Sequence, residues 1–87
     1  MKVAKYFSAT WCGPCQTFKP IMQELKDEGY DITFIDIDKD SGELAKQYNI
    51  RSVPTTIIEE RVVPRHVNIT DTIIGARSKE EIKELLK

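Results

Sequence analysis

Cysteine is scarce in this chain. There are two in 87 residues, Cys12 and Cys15, and both stand in the stretch Thr10-Trp11-Cys12-Gly13-Pro14-Cys15. A disulfide used as a staple gains its effect by closing a long loop, and this pair encloses two residues, so a structural cross-link is a poor explanation. Histidine is scarcer still, with His66 alone. A structural zinc site takes four ligands, and Cys12, Cys15 and His66 fall short, so no metal is expected. No apolar run is long enough for a membrane span or a secretory leader, which predicts a cytoplasmic protein. The sequon Asn68-Ile69-Thr70 is then a chance match. Neither sign of charge dominates: 13 Lys and Arg face 14 Asp and Glu, a net charge of −1. Nothing draws such a chain to nucleic acid or to an anionic membrane. Glycine and proline number four each, too few for a low-complexity or collagen-like segment.

What is present fits a folded domain. Hydrophobic residues make up 40% and charged residues 31%, and the length suits one core, so residues 1–87 are read as a single domain and the protein as a monomer. "KVAKYFS" (2–8) reads as a strand running into the cysteines. From Gly13 to Glu28, Cys15, Phe18, Ile21, Met22 and Leu25 recur at helical spacing, with Pro14 in the first turn, Pro20 as an expected kink and Gly29 as a C-terminal cap. "DITFIDI" (31–37) is apolar on both faces, Ile32 and Phe34 against Ile35 and Ile37, which predicts a central parallel strand covered on both sides. A short helix follows, capped by Asp40 or Ser41, with Leu44, Ala45 and Tyr48 inward. "VPTTII" (53–58) is a third strand and "DTIIG" (71–75) a fourth, joined by a polar connection through Arg61–Asn68 broken at Pro64. Arg61, Arg65 and His66 read there as a solvated loop. Ser78 and Glu81 stand in capping-box positions for a last helix that buries Ile82, Leu85 and Leu86. The order β-α-β-α-β-β-α predicts an α/β fold: a four-stranded mixed sheet with a right-handed parallel crossover, a terminal hairpin and helices on both faces.

Cys12 falls between the first strand and the first helix, at the carboxyl edge of the sheet, where open α/β sheets place their sites. Unpaired N–H groups and the helix dipole favour negative charge there, so Cys12 is the expected thiolate nucleophile. Cys15, one turn on and on the apolar face, is the shielded partner that resolves the mixed disulfide. Gly13 and Pro14 keep the turn between them compact. Trp11 flanks the nucleophile, where an aromatic serves equally as a packing residue or a substrate contact.

Trp11-Cys12-Gly13-Pro14-Cys15 resembles the active-site motif of the thioredoxin family. Two distant segments are similar as well: Ile50-Arg51 with Val53-Pro54-Thr55 resembles the family's cis-proline segment, and Gly75-Ala76-Arg77-Ser78 with "EEIKELL" its final glycine and last helix. The resemblance spans nearly the whole chain. It implies a thioredoxin-like fold and a thiol–disulfide oxidoreductase that reduces protein disulfides and draws electrons from an NADPH-dependent thioredoxin reductase. It implies that Pro54 lies cis beside the cysteines and that the backbone of Val53 pairs with an extended substrate. The two sulfurs carry the electrons, so no cofactor is expected. Two departures stand out. The catalytic strand begins at residue 2, without the preceding strand and helix of larger thioredoxins, and this size is closer to glutaredoxins. The family's buried aspartate, six positions before the first cysteine, is here Tyr6, whose ring is expected to pack beneath the active-site helix on the face of Ala4 and Ser8. A glutathione-fed, glutaredoxin-like enzyme is the alternative, although Gly75-Ala76-Arg77-Ser78 lacks that family's Gly-Gly and acidic pair. A binding module without turnover is the other.

Overall fold

The computed structural model describes residues 2–39, 42–63 and 66–87. Four strands form one sheet: β1 (Lys2–Ser8), β2 (Ile32–Asp36), β3 (Thr55–Val63) and β4 (His66–Ile74). Their spatial order is β2-β1-β3-β4, with β1 parallel to β2 and antiparallel to β3, and β3 antiparallel to β4. The helices are α1 (Gly13–Asp27), α2 (Glu43–Gln47) and α3 (Lys79–Leu85). The mixed sheet expected from the sequence is therefore present.

Strand alternation sorts β1 between two cores. Ala4 and Tyr6 meet Phe18, Met22 and Leu25 of α1, with Ile82 and Leu86 at α3. Phe7 faces the other way, with Ile35 and Ile57, beneath Leu44 and Tyr48 of the α2 segment. Helices thus cover both faces. β2 is covered on both sides as its pattern demands, but it is the edge strand, not a central one. Apolar residues on both faces report coverage by helices; they say nothing about what lies along the strand's open edge.

Local chemistry sets the helix ends. α1 ends in a Schellman arrangement: Gly29, at φ 106°, donates to the Lys26 carbonyl and Tyr30 to that of Leu25. Pro20 lies inside α1 on its exposed side, and the helix continues through it. Ser78 caps α3 by accepting from the Glu81 N–H at 3.2 Å, and its hydroxyl also meets the Glu81 carboxylate. The caps expected for α2, Asp40 and Ser41, lie outside the described residues. Its N-cap position is Gly42, with φ 72° and no side-chain cap bond.

The largest correction concerns the polar connection expected at Arg61–Asn68. Residues 61–63 continue β3 and residues 66–70 belong to β4, so the hairpin is two nine-residue strands. β1 is described from Lys2, opposite Glu60, and beyond it residues 61–63 pair with residues 66–67. Charged residues within a run do not by themselves exclude a strand, so the polarity of this stretch mimics a loop. Its β-branched content (Val62, Val63, Val67, Ile69, Thr70, Thr72) is the strand signal. Register shifts at Ile58/Glu59 and Arg61/Val63 bend it. Pro64 and Arg65, and the side chain of His66, lie outside the described residues.

Candidate active site

The chain leaves β1 at Ser8, and the Cys12 N–H closes a turn onto the Ala9 carbonyl at 3.2 Å. Cys12 is the N-cap of α1 in extended conformation (φ −91°, ψ 111°), and its sulfur accepts from the Cys15 N–H at 3.1 Å. Gly13 and Pro14 fill the first two helical positions. Pro14 fits because its missing N–H would have no helical partner there. A Cβ added at Gly13 would meet nothing within 4 Å, so the fold itself makes no demand for glycine here. Cys15 follows at the third position, fully buried, while Cys12 keeps 6% of its surface exposed. The two sulfurs are joined as a disulfide with a Cα–Cα separation of 5.2 Å.

Each residue singled out in the sequence has a definite place. The Val53–Pro54 bond is cis, and the Val53 carbonyl oxygen lies 3.7 Å from Cys12 Sγ. Pro54 is buried, and its carbonyl accepts from the Gly75 N–H at 2.8 Å. Gly75 adopts φ 87°, a left-handed conformation that glycine takes without strain. Cys12, Cys15, Val53, Pro54 and Gly75 therefore converge, although they come from three separated stretches of chain. Trp11 is 68% exposed, and its indole N–H donates to Asp38 Oδ2 at 2.8 Å. Beside it a groove of ≈ 110 Å³ is lined by Trp11, Ile37, Ile50, Arg51, Ser52 and Val53. Among the described residues no cluster of three or more His, Cys, Asp or Glu is placed to hold a metal ion. None of their helices is long and apolar enough to cross a membrane.

Beneath the cysteines lies Tyr6, with no exposed surface. Its ring makes edge contacts with Phe18 and Phe34 at centroid distances of 5.6 and 5.8 Å, and its hydroxyl donates to the Cys15 carbonyl at 2.8 Å. Burial pushes the phenol up to about 12. The hydroxyl therefore stays protonated, and a donor, at neutral pH.

As site residues, sequence reasoning missed Ala9, Ile37 and Asp38; it placed Ile37 in a strand that in fact ends at Asp36. Ala9 is buried with the cysteine pair, and Ile37 packs against it. Asp38 stands two residues past the end of β2. The parallel crossover puts that point at the same sheet edge as the cysteine loop, which is the signal that could have found it.

Two sulfurs joined as a disulfide, one at a helix N-cap with a little exposed surface and one fully buried, beside a backbone carbonyl in a cis-proline segment: these define a thiol–disulfide oxidoreductase on an open α/β sheet. Comparison with known proteins narrows the class. The family model for thioredoxin matches residues 2–87, and the chain belongs to the thioredoxin family. It is 40% identical over 87 residues to the thioredoxin of Mycoplasmoides gallisepticum, covering 99% of this chain and 82% of that one. With the thioredoxin of Listeria monocytogenes it shares 34% over 82 residues, covering 92% and 75%. Among solved structures, a mutant thioredoxin from Halobacterium salinarum superposes with a TM-score of 0.83 at 28% identity, covering 98% of this chain and 71% of that one. The reduced thioredoxin pre-protein of Schistosoma mansoni gives 0.80 at 31%, covering 98% and 75%. The protein is thus a thiol–disulfide oxidoreductase of the protein-disulfide-reductase type.

Proposed function

We propose that Cys12 attacks disulfides of extended protein segments, that Cys15 resolves the product, and that an NADPH-dependent thioredoxin reductase in the cytoplasm returns the electrons. The asymmetric placement of the two sulfurs carries this reading. Cys12 is at the helix N-terminus, where the Cys15 N–H and the helix dipole favour a thiolate. Its attack breaks the substrate S–S bond, forms a Cys12 mixed disulfide and releases one substrate thiolate, which takes up a proton. Cys15, deprotonated in turn, attacks Cys12 Sγ. The Cys12–Cys15 bond forms, the second substrate thiolate leaves and is protonated, and two electrons have passed to the substrate. The sulfurs carry those electrons, so the cycle calls for no bound cofactor.

Val53 and Pro54 support a backbone clamp for the substrate, since the Val53 carbonyl is already within reach of Cys12 Sγ. Trp11 and the groove beside it suit an apolar side chain next to the substrate cysteine. Gly13, with open space where a side chain would be, leaves the approach to Cys12 clear. NADPH consumption during insulin reduction tests the electron source. Turnover is expected with thioredoxin reductase and NADPH. Efficient turnover with glutathione and glutathione reductase alone would favour a glutaredoxin-type cycle, and binding of reduced partners with no turnover in either system would favour a non-catalytic module.

A further inference from the structure

From the contact between the Tyr6 hydroxyl and the Cys15 carbonyl, we infer that Tyr6 is a positioning residue for the resolving step, pinning the backbone of Cys15 to β1 so that the Cys15 sulfur stays aimed at Cys12. This deepens the proposed roles of the two cysteines and rests on them.

The two sulfurs are held differently. Cys12 sits at the N-cap, outside the regular helix, and its residue has some exposure. It can shift as its sulfur changes partner from Cys15 to a substrate and back. Cys15 is inside the first helical turn and fully buried. Its attack on Cys12 is intramolecular, and the speed of such a step depends on alignment held in advance. The first turn of a helix is where that alignment is least secure, because four N–H groups there have no helical partner and helix ends fray. A bond from outside the helix counters fraying, and Tyr6 supplies one at 2.8 Å.

The anchor is itself rigid. Tyr6 lies on β1, which is paired on both sides, to Phe34 of β2 and Thr56 of β3. Its ring is wedged edge-on against Phe18, one helical turn beyond Cys15, and against Phe34. The phenol therefore spans from the centre of the sheet to the turn that holds the sulfur. The carbonyl it meets belongs to a helical residue whose other lone pair serves the i+4 ladder. Losing the hydroxyl would leave that carbonyl satisfied, so the bond matters more for placement than for satisfying Cys15. Tyr6 offers no base, since the phenol stays protonated at working pH. Its part is to hold the residue that reacts, not to move a proton.

Tyr6→Phe keeps the ring and removes the bond. Mixed-disulfide formation at Cys12 is measured in a Cys15→Ser background with a disulfide peptide, with and without Tyr6→Phe. Resolution is measured in the dithiol protein by acid quench and mass spectrometry of the transient adduct. The expected result is an unchanged rate of formation and a resolution step slowed about tenfold, the scale on which one buried hydrogen bond acts when it orders a transition state. The adduct then accumulates. Replacement of Tyr6 by para-aminophenylalanine, which keeps a donor at the ring's end, is expected to restore the rate. Equal slowing of both steps, or no change in resolution, would overturn the positioning role. Should Tyr6→Phe unfold, the para-amino variant alone decides by the same split: fast resolution supports the role and slow resolution overturns it. Absence of any Cys12 adduct in the Cys15→Ser protein would instead overturn the cysteine roles themselves, a failure distinct from that of Tyr6.

Discussion

At the scale of single residues, a three-position difference puts two sulfurs in different surroundings, one at the helix N-cap and one fully buried. Cys15→Ser is expected to trap a stable adduct through Cys12, and Cys12→Ser to abolish reduction and form none; mass spectrometry after incubation with a disulfide substrate reads both. A second expectation follows from Tyr6 and Lys5. Burial raises the Tyr6 phenol to about 12 from 10. Burial alone would lower Lys5, but its hydrogen bond to Glu59, the Glu59 charge and the neighbouring Tyr48 outweigh this and leave it raised. Both groups prefer their protonated form in the folded state. Their contribution is complete below pH about 10 and is lost as pH rises through their folded values. Thermal melts should therefore hold level from pH 7 to 9 and fall between about 10 and 12, with a shallower fall in Tyr6→Phe; a fall starting near pH 7 would contradict this. Much of this scale was legible in the sequence. The cysteine pair and the face taken by Tyr6 follow from spacing and alternation. The Trp11–Asp38 bond does not, because it joins residues 27 apart and exists only once the crossover is folded.

Elements were legible where apolar residues repeat at a regular spacing and opaque where charge interrupts it. α1 and α3 show their apolar stripes and caps, and both lie where the spacing puts them. In the β3–β4 ribbon beyond β1, the charges around Arg61, Arg65 and His66 and the proline at 64 read in the sequence as a connection and hid the strands' length. Just inside that ribbon β3 carries Glu59, which is 3% exposed, ion-paired with Lys5 and hydrogen-bonded to the Tyr48 hydroxyl at 2.9 Å. This cluster ties β1 and β3 to the end of α2, from which the chain runs on to Val53 and Pro54. Removing one partner of a buried pair strands the other. Glu59→Ala is expected to cost about 3 kcal/mol, read by urea denaturation, and to loosen hydrogen-exchange protection near Tyr48 more than in α3. A cost below about 0.5 kcal/mol would mean that water serves Lys5 equally well.

For the molecule as a whole, the two faces of the sheet are unequal. The α1/α3 side holds the larger core, with Phe18, Met22, Leu25 and Ile82 all buried to within 1%. Glu28 at the end of α1 also meets Lys79 and Lys83 of α3. Glu28 is exposed and both lysines are only half-buried, so Glu28→Gln should move the melting temperature little. Phe18→Ala should cost about 3–5 kcal/mol, a large share of the roughly 5–15 kcal/mol that holds a domain folded. Circular dichroism should then show a protein near or past its unfolding midpoint at 37 °C; a melt within a few degrees of wild type would show that the core can close over the gap. The layered arrangement of the molecule was readable from the order of its elements. The edge position of β2 was not, because strand order in space depends on pairings that no local pattern encodes.

The chain's one tryptophan stands directly before Cys12, most of its indole in water and its N–H held by Asp38. Nature has thereby fitted the protein with its own lamp. A neighbouring disulfide drains the excited state of an indole, while a thiol drains it less. Light emitted by Trp11 should brighten when the pair is reduced and dim when it is oxidised. Because no second tryptophan adds background, a single untagged sample could report each turnover as it happens. Asp38→Ala, by freeing the ring, should blur that signal without touching either sulfur.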